Sequence, residues 1–214
     1  MNNASSFLKS LVDIECVKFG DFTLKSGKKS PIYIDLRNIV SYPKLLSELA
    51  GFFEQYISKE IQRICGVPYA ALPMATAVSI NTQLPMLIKR KEAKNYGTKK
   101  VVEGTYNKGD KVLLIEDVIT SGESLLETIA ELENEGLIIE QIFVVLDREQ
   151  GGSNRLKNKG YQVQSLFTVS SLIKILFDEG KIEEQLYNEV LQFIHEAQIV
   201  TTTVKPKKKL QIGR

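Results

Sequence analysis

The sequence predicts an α/β fold with a central parallel sheet flanked by helices. Three observations carry this expectation. Short, continuous apolar runs recur along the chain, at residues 61–67, 112–115 and 142–146. Strands of a parallel sheet are covered on both faces, so they read as unbroken apolar runs rather than as alternations. The segments between them carry apolar residues three and four apart, the period of a helix. Finally, two acids, Glu116 and Asp117, follow directly on one run, at the strand end where open α/β sheets place their ligands.

Taken in order, residues 7–12 form a short amphipathic helix. Two strands follow in FGDFTLKSGKKSPIYIDLR, alternating around Phe22, Leu24, Ile32 and Ile34, with SGKKSP as the turn. Pro43 opens a helix whose apolar positions are Leu45, Leu46, Leu49, Phe52, Phe53 and Ile57. Residues 61–67 form a strand, and residues 70–80 a helix with small side chains that permit close packing. Residues 85–88 and 112–115 are strands, the second ending at Ile115. Residues 125–135 form a helix stopped by Gly136. Strands at 142–146 and 161–167 and helices at 172–177 and 183–197 complete the pattern. The organisation reads as a first helix and hairpin over residues 1–40, a core over 41–198, and a tail over 199–214. That tail, ending VTTTVKPKKKLQIGR, is polar and basic. It is expected to be disordered, with docking to RNA or an acidic partner as the alternative.

With 214 residues, 43% hydrophobic and 25% charged, the chain is long enough for one domain with a sizeable core. A net charge of +2 is too small to argue by itself for a nucleic-acid partner, and charge has to be read locally. Cys16, Cys65 and the single His195 are too few for a zinc site. The two cysteines read as buried free thiols in a reducing cytosol, and His195 as a surface residue late in the terminal helix. The N-terminal residues lack a basic start followed by a long apolar stretch, and no apolar run reaches the ~18 residues of a membrane helix. A cytoplasmic protein is expected.

The chemistry concentrates in VLLIEDVITSGES, residues 112–124. Small hydroxyl residues and a glycine at a helix start expose backbone N–H groups, and the helix dipole adds positive charge. Both suit a phosphate monoester. The acid pair suits the hydroxyls of a sugar. A capped helix after a core strand is the plainer alternative, but it needs only one such residue and no acid pair. A Walker loop is excluded, since GxxxxGK[ST] is absent. From Lys89 to Lys100, six of twelve residues are Lys or Arg, with only Glu92 opposing. This is either a solvated loop or, with Gly97 and Gly104 beside it, a flap that closes on a polyanion. Arg148 follows a strand and adjoins Asp147. It is either half of an ion pair or a fork for a planar carboxylate.

Residues 112–124 resemble the phosphoribosyl pyrophosphate (PRPP) motif of type I phosphoribosyltransferases. RKEAKNYGTKKVVEG (90–104), FTLKSGKKSPIYID (22–35), LDREQGG (146–152) and CGVPYAALP (65–73) narrow the resemblance to orotate phosphoribosyltransferases. It is especially close to the transferase half of the bifunctional enzymes that make uridine monophosphate, and it spans most of residues 15–198. The resemblance implies the type I phosphoribosyltransferase fold with a small N-terminal substrate-binding hood. It implies transfer from PRPP to orotate in pyrimidine biosynthesis, with Mg²⁺ held mainly by the substrate rather than by protein ligands, in a homodimer with shared active sites. Carried over residue by residue, Lys94, Asp117 and Arg90 are catalytic. Lys25, Tyr69, Arg90, Lys91, Lys94, Tyr96, Glu116, Asp117, Val118, Ile119, Thr120, Ser121, Gly122, Glu123 and Ser124 bind PRPP. Lys25, Tyr33, Ile34, Thr120 and Arg148 bind orotate. The chain departs from the pattern at Tyr96, where the family loop often has histidine, and at Ala70, where bacterial members have lysine. Two other readings remain open: transfer to another base, and a PRPP-sensing regulator without catalysis. The regulator would need a nucleic-acid-reading element, and no helix-turn-helix is read here.

Overall fold

The computed structural model describes residues 2–24, 27–90 and 101–203. The chain opens with helix α1 (Asn2–Asp13), then an antiparallel hairpin of β1 (Val17–Thr23) and β2 (Lys29–Ile34) that forms a two-stranded sheet of its own. A 3₁₀ turn over Leu36–Ser41, capped by the Asp35 carboxylate, leads to α2 (Pro43–Glu54), with proline in the first turn as expected. Then come β3 (Arg63–Gly66), α3 (Ala71–Thr82), β4 (Met86–Lys89), β5 (Val102–Glu103), β6 (Lys111–Ile119), α4 (Glu123–Asn134), β7 (Ile138–Asp147), α5 (Gly152–Lys157), β8 (Val163–Thr168), α6 (Val169–Asp178) and α7 (Glu184–Thr203). The six-stranded sheet runs β5-β4-β3-β6-β7-β8. Every pairing in it is parallel except β4 with the short edge strand β5.

The unbroken apolar runs have the reason inferred for them. Successive residues of the central strands feed two separate cores. Leu113, Ile115, Phe143 and Val145 face one core, with α1, α2, α3, α6 and α7. Val112, Leu114, Ile142 and Val144 face the other, with α4 and α5. Phe53 of α2 stacks on Phe143 at 5.2 Å, and Phe7 stacks on Phe167 at 5.6 Å. The hairpin joins the first core through Val17 and Ile32, and α7 rests against β2.

Some boundaries differ from expectation. β6 does not end at Ile115. It runs on to Ile119, because β7 continues to pair with it as far as Ile119 opposite Asp147. What ends at Ile115 is the other neighbour, since β3 stops at Gly66 opposite it. β7 likewise begins earlier than expected, at Ile138. The edge strand β5, the short helix α5 and the 3₁₀ turn are too brief to leave a periodic trace. α7 extends to Thr203, and the rest of the expected tail lies outside the described residues.

Candidate active site

Because β3 stops short, the last four residues of β6 are paired on one side only, at the carboxyl end of the sheet. Glu116 and Asp117 sit in this overhang. Glu116 is 6% exposed. Burial, with Asp117 as hydrogen-bonding and like-charged neighbour, pushes its carboxyl up to about 9. Its Oε1 accepts the Asp117 N–H at 3.3 Å. At neutral pH, Glu116 is therefore held as the neutral acid.

The chain leaves β6 through Thr120 and Ser121 and turns at Gly122, whose φ of 72° is left-handed. α4 begins at the next residue. Residues 118–125, with Glu116, enclose a small cavity of about 90 Å³. The first turn of α4 supplies N–H groups that no intrahelical carbonyl can take. The expected phosphate cradle and acid pair are thus contiguous.

The neighbouring turn, after β7, is fastened to this loop. Arg148 N–H donates to the Ile119 carbonyl at 3.0 Å, and Gly152 N–H to the Thr120 carbonyl at 2.9 Å. Arg155 Nη1 donates to the Ser121 carbonyl at 3.3 Å. Gly152 is required for this approach, as a Cβ there would lie 2.6 Å from the Thr120 oxygen and 2.7 Å from Ile119 Cγ1.

Arg148 resolves the alternative left open by its sequence. It makes no ion pair with Asp147 among the described residues. The Asp147 carboxylate instead accepts from the Glu149 N–H at 2.7 Å and from the Ser153 hydroxyl. Arg148 Nη2 is buried without a hydrogen-bond partner, and burial alone lowers the guanidinium pKa. The guanidinium is half-buried, with one N–H left for a partner that the described residues do not supply.

The other expected residues divide into two groups. Tyr33 is 37% exposed on the hairpin, its ring 5.4 Å from Phe22, and Ile34 is half-buried beside it. Tyr69 is 64% exposed in the segment between β3 and α3. Arg90 follows β4, its N–H donating to the Val101 carbonyl at 2.8 Å and its guanidinium 3.4 Å from Glu103. Lys25, Lys91, Lys94 and Tyr96 lie outside the described residues. Lys89, counted above among the flap cations, belongs elsewhere. It is 7% exposed, and its ammonium lies 2.8 Å from Glu131 of α4. The sequence reading missed the Asp147, Glu149 and Ser153 arrangement; an aspartate two residues before a backbone donor and six before a serine was the available signal.

The model of the phosphoribosyl transferase domain matches residues 35–170. Over 190 residues the chain is 42% identical to an orotate phosphoribosyltransferase of Caenorhabditis elegans, covering 87% of this chain and 84% of that one. The chain belongs to the phosphoribosyl transferase domain family, among the orotate phosphoribosyltransferases. It is also 45% identical to the bovine uridine 5′-monophosphate synthase over 89% of its length, but this spans only 40% of that protein. A solved structure of Leishmania donovani UMP synthase superposes with a TM-score of 0.82 at 38% identity, covering 90% of this chain and 42% of that one. The type I phosphoribosyltransferase fold expected from the sequence is present, with five parallel strands and one antiparallel edge strand in the sheet.

Proposed function

We propose that this orotate phosphoribosyltransferase-family chain transfers the phosphoribosyl group of PRPP to orotate, yielding orotidine 5′-monophosphate and diphosphate for uridine monophosphate synthesis. The observation that carries the choice of base is Arg148, a half-buried guanidinium whose Nη2 is buried without a partner, on a turn fastened to the loop after β6. Orotate brings the carboxylate that completes it. A neutral purine leaves it incomplete.

In this reading Thr120, Ser121, Gly122, Glu123 and Ser124 hold the 5′-phosphate on backbone N–H groups at the start of α4. Val118 and Ile119 form the wall of that cradle. Asp117 and Glu116 hold the ribose hydroxyls, and Asp117 stabilises the electron-poor sugar as the bond to diphosphate breaks. Arg90, Lys91, Lys94, Tyr96, Tyr69 and Lys25 engage the diphosphate. Cations that meet the leaving group as charge develops on it favour the transition state over the ground state. Lys94, Asp117 and Arg90 are the catalytic set. Orotate, already ionised at its ring nitrogen, needs no strong protein base. Arg148 and Thr120 orient it, with Tyr33 and Ile34 of the hairpin and Lys25.

The family also implies Mg²⁺. Among the described residues there is no group of three or more potential ligands, and Glu116 is neutral. The donor set fits an ion carried in by the diphosphate and its waters rather than a protein cage. When bound, the metal offsets diphosphate charge. A homodimer fits the apolar residues left outside the core on α3 and β4, where Ile80 is 67% and Ile88 48% exposed. The two buried free thiols fit the reducing cytoplasm, and none of the described helices is long and apolar enough to cross a membrane.

The test follows orotate absorbance with PRPP and Mg²⁺, with adenine, hypoxanthine and uracil in parallel. Only orotate is consumed. Arg148→Ala raises the KM for orotate about thirty-fold or more, since it removes one partner of a buried charge pair, and changes the KM for PRPP far less. Consumption of another base with orotate inert would sink the base assignment and leave the PRPP site standing.

A further inference from the structure

We propose that Arg155 is a positioning residue for the 5′-phosphate of PRPP, acting by fixing the Ser121 carbonyl so that the adjoining Gly122 N–H faces the ligand. The proposal rests on the reading that residues 120–124 take that phosphate.

Three successive carbonyls of the loop after β6 are held by the turn after β7. The Ile119 carbonyl accepts the Arg148 N–H at 3.0 Å, and the Thr120 carbonyl accepts the Gly152 N–H at 2.9 Å. The Ser121 carbonyl accepts Arg155 Nη1 at 3.3 Å. A trans peptide unit is planar, so the N–H that follows each carbonyl points the opposite way. Holding these carbonyls therefore directs the N–H groups of Thr120, Ser121 and Gly122 away from the turn. None of the three donates to another protein group among the described residues. The cavity of about 90 Å³ is lined by Glu116 and residues 118–125 and by no residue of the turn. It opens on the face of the loop away from the turn, the face that those N–H groups take. Consecutive N–H groups around a hollow suit an anion.

Two of the three donors are backbone groups, and Arg155 is the one side chain among them. It acts where backbone support is least. The β6–β7 ladder ends at Ile119 opposite Asp147, and Gly122 has a φ of 72°. Glycine populates both signs of φ, so the peptide between Ser121 and Gly122 is the one most free to turn over. Arg155 itself is anchored, its own N–H donating to the Gly151 carbonyl at 3.0 Å. Loss of its guanidinium lets that peptide rotate and withdraws the Gly122 N–H from the phosphate.

The experiment measures KM for PRPP and for orotate, and inhibition against PRPP by ribose 5-phosphate and by diphosphate, in the parent, Arg155→Ala and Arg155→Lys. Thermal unfolding followed by circular dichroism checks each fold, which an exposed position leaves intact. Arg155→Ala raises the KM for PRPP and the Ki for ribose 5-phosphate about five-fold, the size of one lost hydrogen bond. The Ki for diphosphate and the KM for orotate stay near their starting values, because neither ligand uses this loop's phosphate cradle. Arg155→Lys, which keeps a donor, recovers part of the loss. A role as a surface charge alone predicts that ribose 5-phosphate and diphosphate weaken together and that the difference from the parent vanishes at about 0.5 M salt. That result overturns the proposal. A lower Tm with every KM and Ki unchanged overturns it too, since support of α5 alone would give that. Ribose 5-phosphate in the parent separates the two levels. If it does not compete with PRPP, the phosphate-loop reading falls. If it competes, and equally well in Arg155→Ala, only the role of Arg155 falls.

Discussion

Glu116 shows how a single residue's surroundings trade stability for a site. Its carboxyl is pushed up to about 9, first by burial and then by Asp117, whereas in the unfolded chain it ionises near 4.5. Below that value both states hold the proton and the residue is indifferent to folding. Between the two values the unfolded chain ionises and the folded protein does not, so stability falls as pH rises, by up to about 1.4 kcal/mol per pH unit within the window. A neutral glutamic acid presents one donor and one acceptor, and glutamine reproduces that pattern without an ionisable group. Glu116→Gln is therefore expected to match the parent near pH 4 and to be the more stable protein at pH 8, as read from urea unfolding across the range. A stability difference that does not vary with pH would rule out this account. The cysteines illustrate the opposite case, in which surroundings silence a group. Burial raises the Cys16 thiol to about 11 and the Cys65 thiol to about 12, so neither is a nucleophile at neutral pH.

At the scale of elements, the turns that follow β6 and β7 matter more than the strands themselves. Their mutual hydrogen bonds hold the loop proposed to take the phosphate and Arg148 in one frame. Gly152 is what lets the two turns touch. α6 shows a more local rule. Thr168 accepts the Ser171 N–H at 3.1 Å, and Ser171 returns the bond to the Thr168 N–H at 3.0 Å, a reciprocal capping box. The Glu149 carboxylate takes a further N–H of that first turn. Thr168→Ala is expected to destabilise the protein by about 1 kcal/mol, seen as a lower midpoint in chemical unfolding. Its orotate kinetics should stay near those of the parent, since Glu149 retains its acceptor role. A large kinetic effect without a loss of stability would show that the cap and the base site are coupled.

For the whole molecule, stability lies in the two cores on either face of the sheet. Phe53 is fully buried and stacks on Phe143 at 5.2 Å, joining α2 to the strand that carries Arg148 at its end. Phe53→Ala is expected to cost roughly 3–5 kcal/mol and about 10 °C in Tm at this chain length, with KM values preserved below the transition. A Tm within two or three degrees of the parent, on the order of 1 kcal/mol, would mean that the neighbouring Phe7, Phe52 and Phe167 cluster closes the gap. At this scale the sequence was most informative, because burial on both faces writes an unbroken apolar run for each parallel strand. It was least informative at the edge, where β5 has only two residues, and at α5, where six residues hold too little periodicity.

What the sequence alone determined is which local features are present: an acid pair, a turn of small hydroxyl residues and glycine leading into a helix, and an arginine after a strand. Each is local, with its parts within a dozen residues, so spacing suffices to read it. What only the tertiary structure decided is how charges are assigned. Lys89 looked like one of a row of flap cations and is instead buried against Glu131. Arg148 offered a pairing with Asp147 as one reading and instead keeps a buried Nη2 without a partner, while Ser153 and the Glu149 N–H occupy the Asp147 carboxylate. Partners of that kind are chosen by direction and by solvent exclusion, and neither is set until the strands have docked in register and the turns between them have closed.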